Sequence, residues 1–321
     1  MSAGMLLILG GEQFLLADSR YYEMAKAAAK NTTVLLAANF NKDCQAILEK
    51  TGVKTLALEA GQVTLRQYEK MKASFKDVLL CTDGSLDAEI ERLRKIKTAV
   101  EITKLKHSQQ VTDEAFTAVL PLLKEGTSEI EIALALEICI RRQGCGIAFE
   151  TIVASGENSS RPHGHPGQRR FRKGDLVTMD FGAVYEGYHS DMTRTVGIGA
   201  LPEQQISVYE TVLAAQEKAF EVIFPGAVCK QVDAAARSYI DSSPYKGCFG
   251  HGLGHGVGLE IHELPNVNVS DETVLEPGMA LSVEPGIYLE GQFGVRIEDV
   301  VLITSEGYEN LAKTPKELLI L

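Results

Sequence analysis

Residues 176–195 read LVTMDFGAVYEGYHSDMTRT, and this pattern predicts a β-hairpin whose two strand-like segments flank a turn at Tyr185-Glu186-Gly187. If the first two of these turn residues form the loop, Asp180 and Asp191 lie directly opposite each other. If the last two form it, the aspartates are diagonal neighbours. Either register puts both carboxylates on one face, because side chains in a strand alternate. Since facing like charges repel each other, the hairpin predicts a bound cation.

The alternative is that both aspartates are solvated on the outer face of an edge hairpin. Their neighbours argue against this: Val177 and Met179 precede Asp180, and Met192 follows Asp191. These apolar residues are typical of a core strand. We therefore expect a buried or half-buried pair, provided that other ligands converge on it.

The bulk composition excludes several classes of protein. Apolar residues make up 45 % of the 321 residues and charged residues 23 %, which is typical of a soluble globular protein with room for two domains. The net charge of −11 and the absence of a basic tract argue against binding of nucleic acid or of an anionic membrane. No apolar run reaches the length of a transmembrane helix.

The start of the chain and the cysteines indicate the cytoplasm. The opening residues MSAGMLLILGG have too short an apolar run and no basic flank for a signal peptide. The six cysteines contain no C-x-x-C pair, so we expect free thiols in a reducing compartment rather than a disulfide scaffold or a structural zinc site.

The order of helical and strand-like patterns predicts an α/β (α+β) protein with two domains. Residues 1–85 alternate short apolar runs with helical segments, as in a small α/β domain. Residues 86–110 are charged and helical, and we interpret them as a linker helix. We expect residues 111–321 to form the second domain.

A weak internal repeat is present in the second domain. The stretch GDLVTMDFG at 174–182 recurs as GMALSVEPG at 278–286, so that Glu284 matches Asp180. Further along, Glu298 matches Asp191. The repeat predicts duplicated halves related by a pseudo-two-fold axis, which would bring the two pairs of acids face to face.

Histidines add to these four acids. Residues 249–263 read FGHGLGHGVGLEIHE and place His251, His255 and His262 among five glycines. Such glycine density argues against a helix, and in an extended chain His251 and His255 share a face. The templates H-E-x-x-H, G-x-G-x-x-G and G-x-S-x-G are not satisfied in a suitable context.

Four carboxylates and one imidazole are too many ligands for one catalytic zinc ion. They suit two divalent ions about 3.5–4 Å apart that share bridging carboxylates and activate a water. Oxygen-rich ligation favours manganese first, with iron, cobalt and zinc as alternatives.

At these residues the sequence resembles the creatinase/aminopeptidase P/prolidase family of pita-bread metallopeptidases. The resemblance runs from about Leu93 to the C-terminus. It is carried by the motifs SRPHGHP, KGDLVTMDFGA, GYHSDMTRT, GHGLGHGVGLEIHE, EPGMALSVEPGIY and GVRIEDVVLIT.

The resemblance implies a role for each residue of the constellation. Asp180 would bind one metal, His255 and Glu284 would bind the other, and Asp191 and Glu298 would bridge them. Glu284 would also be the general base. His262 would stabilise the oxyanion. His163 and His251 would line the substrate pocket, and His163 is also a catalytic candidate. Arg296 and Tyr288 would contact the substrate or support the ligands.

The N-terminal segment also resembles the smaller domain of this family, through SAGMLLIL and ADSRYYE. This argues against the one-domain methionine aminopeptidases. The chain opens at what would be mid-domain, as if roughly thirty residues were missing, judged by typical domain size. We therefore expect an incomplete small domain, and by resemblance a homodimer.

The resemblance predicts a cytoplasmic two-metal exopeptidase that cleaves the bond between an N-terminal residue and proline. Its substrate would be a proline-containing dipeptide or a longer peptide, and the motifs do not separate the two. A creatinase-like C–N hydrolase on the same fold and a non-enzymatic binding module are the alternative interpretations.

Overall fold

The computed structural model describes residues 4–321, and it divides into two compact units: one that ends at Ile90 and one that spans Glu91–Leu321. Met1–Ala3 lie outside the described residues. They are the first residues of the opening stretch in which the sequence indicates no signal peptide. Within the described residues, no helix is long and apolar enough to cross a membrane.

The first unit is a small α/β fold, as the alternating pattern predicts. Strands β1 and β2 form a hairpin across Gly10-Gly11, both of which have positive φ, and β3 adds in parallel to β2. The strands β4 and β5 follow later in the chain and pair with each other in parallel, as a separate two-stranded sheet. The elements are β1 (Gly4–Leu9), β2 (Glu12–Ala17), α1 (Tyr22–Ala28), β3 (Thr33–Leu36), α2 (Phe40–Thr51), β4 (Thr55–Ala57), α3 (Leu65–Ser74) and β5 (Leu79–Cys81). Helix α4 (Ser85–Lys95) begins in this unit and ends in the second.

The helices of the second unit come in two pairs. Their bounds are α5 (Ala99–Val119), α6 (Glu129–Arg142), α7 (Glu203–Phe220) and α8 (Cys229–Asp241). The spacing of Ser128 and Glu131 predicts a capping box at the start of α6, and the structure confirms it: each side chain bonds the backbone N–H of the other residue. Thr98 and Glu101 make the same box at the start of α5.

The strands of the second unit form one five-stranded sheet and smaller ones of two or three strands. The order in the large sheet is β13-β12-β14-β17-β18, and the three-stranded sheet that carries the aspartate hairpin has the order β11-β8-β7. Their bounds are β6 (Gly146–Ile147), β7 (Ile152–Ser155), β8 (Asp175–Phe181), β9 (Ala183–Tyr185), β10 (Tyr188–His189), β11 (Met192–Ile198), β12 (Gly254–Gly256), β13 (Glu263–Val267), β14 (Ala280–Val283), β15 (Gly286–Leu289), β16 (Phe293–Arg296), β17 (Asp299–Ile303) and β18 (Tyr308–Asn310).

The two predicted halves are visible in this order of elements. Each half has two helices, then two strands and then four more, which are β6–β7 and β8–β11 in one half and β12–β13 and β14–β17 in the other. A glycine with positive φ, Gly174 or Gly278, precedes the first of the four strands, and Gly126 and Gly226 separate the helices of each pair. Each half also has its own hydrophobic core, one around Val177 and one around Leu281.

The aspartate hairpin adopts the second of the two predicted registers. Tyr185 pairs with Tyr188, so that Glu186 and Gly187 form the loop, with φ of 46° and 87°. Positive φ at both positions is the requirement of a type I′ turn. Asp180 consequently pairs with Thr193, and Asp191 is its diagonal neighbour.

The hairpin is not continuous, however, because both arms break beside the aspartates. The first arm breaks at Gly182 and the second at Ser190-Asp191, and the outer part of the hairpin belongs to a different sheet from β8 and β11. A Cβ atom on Gly182 would lie 1.9 Å from the carbonyl oxygen of Ser190, so the crossing of the two arms requires glycine.

Candidate metal centre

The ends of the central strands meet at a cavity of about 600 Å³. Asp180 lies near the end of β8, Glu284 directly follows β14, and Glu298 directly precedes β17. All but one of the site residues predicted from the sequence line this cavity, namely Asp180, Asp191, His163, His251, His255, His262, Glu284, Arg296 and Glu298. The remaining one, Tyr288, lies behind this lining and touches it through hydrogen bonds.

The strands are held in place from behind by helix α7. The buried side-chain amide of Gln216 donates hydrogen bonds to the carbonyl oxygens of Val283, at 2.9 Å, and Ile297, at 3.3 Å. These two residues immediately precede Glu284 and Glu298 in sequence. One helical side chain therefore fixes the backbone that presents both glutamates.

His255 lies close to one carboxylate from each half of the repeat. Its Nε2 atom lies 3.3 Å from Oε1 of Glu284 and 3.7 Å from Oδ2 of Asp191. Its Nδ1 atom lies 3.1 Å from the carbonyl oxygen of Gly256, which can only accept, so Nδ1 carries a proton. Nε2 is thus directed at the carboxylates, and single side-chain ligand atoms of Asp191, His255 and Glu298 all lie within 4.8 Å of one another.

Two buried carboxylate oxygens in this cluster have no hydrogen-bond partner, namely Oδ1 of Asp180 and Oε1 of Glu298. The second oxygen of each group is occupied: Arg296 donates to Oδ2 of Asp180, and Thr193 donates to Oε2 of Glu298 at 2.6 Å. A buried carboxylate oxygen without a partner is costly. These oxygens, with the Nε2 atom of His255, form a donor set that fits divalent cations.

The electrostatics of the cluster agree with this fit. Burial, followed by the nearby charge of Glu298, raises the pKa of Asp191 well above its usual range. Burial and then Glu284 do the same to the pKa of Glu298. Burial tends to raise the pKa of Glu284 as well, but the hydrogen bond and charge of His255, together with the charges of Arg296 and His251, outweigh it, so this pKa is lowered. The cluster therefore stabilises positive charge placed among its carboxylates.

A chain of hydrogen bonds supports one wall of the cavity. The buried guanidinium of Arg296 donates to Asp180, to the hydroxyl of Tyr288 at 2.8 Å and to the hydroxyl of Thr193 at 3.1 Å. The Tyr288 hydroxyl lies 3.1 Å from Nε2 of His251. Because Nδ1 of His251 donates to the carbonyl of Gly252 at 2.8 Å, Nε2 accepts from Tyr288. The orientation of His251 is thereby fixed.

His262 and His163 approach the cavity from loops. The ring centroid of His262 lies 4.3 Å from that of His255, in an edge-to-face arrangement. His262 is exposed, and its ring makes no hydrogen bond with any residue in the range 4–321. His163 follows the 3₁₀ turn Gly156–Ser160 and faces the same cavity.

Sequence reasoning did not single out Thr193, Asn266 and Asn268. Thr193 follows Asp191 by two positions, so the alternation of side chains in the hairpin could have placed it on the face of the acids. Asn266 and Asn268 also line the cavity, and no local chemical motif distinguishes them.

Comparisons with known proteins agree on the family. Residues 103–305 match metallopeptidase family M24, and residues 1–96 match the creatinase/prolidase N-terminal domain. An Xaa-Pro dipeptidase of Pyrococcus furiosus is 40 % identical over 99 % of this chain and 90 % of its own length. The solved Xaa-Pro dipeptidase from Bacillus anthracis superposes with a TM-score of 0.95 at 40 % identity, over 100 % of this chain and 90 % of that one. The X-Pro aminopeptidase from Thermotoga maritima gives 0.93 at 36 % identity, over 99 % and 88 %.

The chain therefore belongs to metallopeptidase family M24 and has its pita-bread fold, with a smaller domain of the creatinase/prolidase type before it. It is an enzyme of a class that works with divalent metal ions, and the donor set described above fits that chemistry.

Proposed function

We propose that this protein is a dinuclear exopeptidase that hydrolyses the Xaa-Pro bond, in dipeptides or at the N-terminus of peptides. The observation that carries the proposal is the pair of buried, unpartnered oxygens on Asp180 and Glu298, which face the same cavity as Nε2 of His255. The names of the similar proteins, Xaa-Pro dipeptidase and X-Pro aminopeptidase, supply the substrate class.

We assign the ligands as the family resemblance implies. Asp180 would hold one cation, His255 and Glu284 would hold the other, and Asp191 and Glu298 would contribute to both. Four carboxylates and one imidazole favour manganese as the metal, with iron, cobalt and zinc as competitors. When bound, the cations supply Lewis acidity that polarises the scissile carbonyl group and makes a water more acidic.

Glu284 acts as the general base. It accepts a proton from the attacking water and delivers it to the proline nitrogen as the bond between carbon and nitrogen breaks. Two groups orient its carboxylate: Nε2 of His255 lies 3.3 Å from Oε1, and the hydroxyl of Ser282 donates to the same oxygen at 3.3 Å.

His262 donates a hydrogen bond to the oxygen of the scissile carbonyl as negative charge develops on it. His163 and His251 line the same pocket and bind the substrate, and the hydroxyl of Tyr288 holds His251 in place for this. Arg296 donates to Oδ2 of Asp180 and leaves Oδ1 for the cation. Each of these side chains acts by position, so the reaction depends on the rigidity of the loops that carry them.

Hydrolysis by the metal-reconstituted protein tests the proposal. Xaa-Pro and Xaa-Pro-Xaa peptides are compared with Xaa-Ala, and we expect cleavage of the proline peptides only, with two equivalents of metal bound. Equal rates on the Xaa-Ala peptides would contradict the proposed selectivity for proline. Alanine substitution of any one of the five ligands is expected to abolish turnover without unfolding the protein, and retained turnover in two such variants would overturn the assignment.

Manganese, a cytoplasmic location and a homodimer are further parts of this proposal. Activity after reconstitution with each metal in turn identifies the preferred ion. Light scattering on the purified protein measures the oligomeric state, for which we expect twice the mass of the 34.9 kDa chain.

A further inference from the structure

A buried ion pair lies beside the loop that carries His262. The Nζ atom of Lys97 is 2.6 Å from Oε1 of Glu263, and Nη2 of Arg94 is 2.8 Å from the other oxygen of the same carboxylate. The side chains of Lys97 and Glu263 are only 2 % and 6 % exposed. Both partners belong to the unit Glu91–Leu321, although they lie 166 residues apart in sequence.

This ion pair is not explained by stability. Burial lowers the pKa of Lys97, and the attraction of Glu263 offsets the loss only in part. The desolvation of two charges in a buried pair can match or exceed their attraction, so such a pair is weak as a source of stability. What a buried pair does provide is one fixed geometry, because neither charge can leave its partner.

That geometry determines the path of the loop between β12 and β13. Gly256 pairs with Glu263 across the base of the loop, and the residues between them include His262. The carboxylate of Glu263 sits under the loop, where a Cβ atom on Gly258 would come within 2.3 Å of it. The outer side of the loop is also fixed, because the backbone N–H of His189 donates to the carbonyl of Gly258 at 2.9 Å.

Lys97 in turn has a fixed backbone. It follows α4 in the short break before α5, and its N–H donates to the carbonyl of Gly278 at 2.8 Å. Gly278 immediately precedes the strand region that leads to Glu284. The ammonium group of Lys97 is therefore placed relative to the same strand that presents the general base.

The ring of His262 makes no hydrogen bond among the described residues. Its centroid lies 4.3 Å from that of the His255 ring, in an edge-to-face arrangement. Its position follows from its backbone, and that backbone is adjacent to Glu263. We propose that Lys97, with Arg94, is a positioning residue that fixes His262 through Glu263, an inference that rests on the proposed role of His262 in catalysis.

The experiment combines a direct view of His262 with a kinetic cycle. The first variant is K97M, which removes the charge of Lys97 but keeps a side chain of similar length. The second variant is R94Q, which removes the other cation from a partly exposed site and replaces K97M in the test if K97M does not fold. The matched control is K106M, which removes an exposed pair with Glu309 (2.8 Å) that does not touch the loop. Far-UV circular dichroism confirms folding of each variant.

The direct view is the histidine region of a ¹H–¹³C spectrum of the protein with labelled imidazoles, recorded without substrate. The chain has seven histidines, and the H262N variant assigns the resonance of His262. We expect this resonance to shift or broaden in K97M and R94Q and to stay unchanged in K106M. An unchanged His262 resonance in folded K97M overturns the proposal.

The kinetic cycle tests whether Lys97 acts through His262. In K97M we expect kcat to fall about ten- to a hundredfold with little change in KM, as for a group misplaced in the transition state. In the H262A background the same substitution should cause no further loss, since the residue it positions is gone. Additive losses in the double variant overturn the proposal. If the wild-type enzyme does not cleave Xaa-Pro peptides, the proposed function fails, and the His262 resonance alone decides the role of Lys97.

Discussion

The hydroxyl of Thr193 donates a hydrogen bond of 2.6 Å to Oε2 of Glu298, a residue from the opposite half of the repeat. The backbone reinforces this contact, because the N–H of Glu298 donates to the carbonyl of Thr193 at 3.1 Å. The same hydroxyl accepts from Nε of Arg296, which holds Asp180. One threonine thus orients the carboxylates of both halves.

Removal of this hydroxyl should weaken metal binding. In T193V the carboxylate of Glu298 loses the bond that directs Oε1 into the cavity, and we expect metal affinity to fall about ten- to a hundredfold, as for other groups that support metal ligands. Isothermal titration of the metal-free protein measures the change. T211V, which removes an exposed hydroxyl on α7, is the control. Equal affinity in the two variants would contradict the role of Thr193.

Metal removal should destabilise the protein, and removal of one acid should abolish that dependence. Burial and the charge of Glu298 raise the pKa of Asp191, which means that ionised Asp191 is unfavourable without a cation. We therefore expect D191N to melt at the same or a higher temperature than the metal-free wild type. Added metal should raise the melting temperature of the wild type but not of D191N. Scanning fluorimetry with and without chelator measures both.

The control for this comparison is E272Q, which removes an exposed carboxylate that pairs with Lys230 and does not line the cavity. It should show the same metal-induced increase in melting temperature as the wild type. A D191N protein that keeps the full increase would mean that Asp191 does not bind the metal.

Buried Arg194 should be essential for stability. It donates to Asp299 at 2.7 Å and to the backbone carbonyls of Glu298 and Thr314, at 2.6 and 2.8 Å, and it is 2 % exposed. In R194M these acceptors lose their donor, and we expect the free energy of unfolding to fall by about 3–5 kcal/mol. K230M, which breaks the exposed pair of Lys230 and Glu272, should cost less than about 1 kcal/mol. Urea denaturation that gives similar values for both would contradict this.

The sequence predicted the site better than it predicted the contacts that hold the site together. Matching of Asp180 with Glu284 and of Asp191 with Glu298 was enough to predict that four acids converge, because a repeat of structure follows a repeat of pattern. The choice between the two hairpin registers depended on whether Glu186 adopts positive φ, which the alternation of side chains does not encode.

Contacts between distant segments could not be read from the sequence at all. The bond from Thr193 to Glu298 depends on how the two halves pack, and the pair of Lys97 and Glu263 joins a helix break to a glycine-rich loop. Neither belongs to a periodic pattern. The strand-like segments on the two sides of the turn are each divided in two in the structure, at Gly182 and at Ser190-Asp191, and the outer part of the hairpin belongs to another sheet. At Gly182 the opposite backbone comes too close for a side chain.

A salt bridge outside the metal centre gives a pH dependence that can be measured. The hydrogen bond from Arg169, at 2.8 Å, is the main cause that lowers the pKa of Glu157 to about 2. This folded-state pKa lies below the value of about 4.3 expected in the unfolded chain. Glu157 therefore contributes stability above pH 4.3, and this contribution is lost as the pH falls towards 2.

We expect the stability of E157Q to fall less steeply than that of the wild type over this acidic range. The effect is small because the Glu157 side chain is largely exposed. Urea denaturation at a series of pH values measures it, with E210Q as the control, since Glu210 makes no ion pair with any of the residues 4–321. Parallel curves for E157Q and the wild type would show that the bridge to Arg169 is not formed in solution.

The crossing of the hairpin arms should tolerate only glycine at position 182. A Cβ atom there would lie 1.9 Å from the carbonyl oxygen of Ser190 and 3.1 Å from Cβ of Ala148, and the nearer atom is backbone that cannot rotate away. We expect G182A to lower the free energy of unfolding by about 1–3 kcal/mol, the usual cost of overpacking, and to reduce activity because Asp180 and Asp191 flank the crossing. G250A is the matched control, since a Cβ at Gly250 meets nothing within 4 Å. If the two variants unfold at the same urea concentration, the arms do not cross as closely as described.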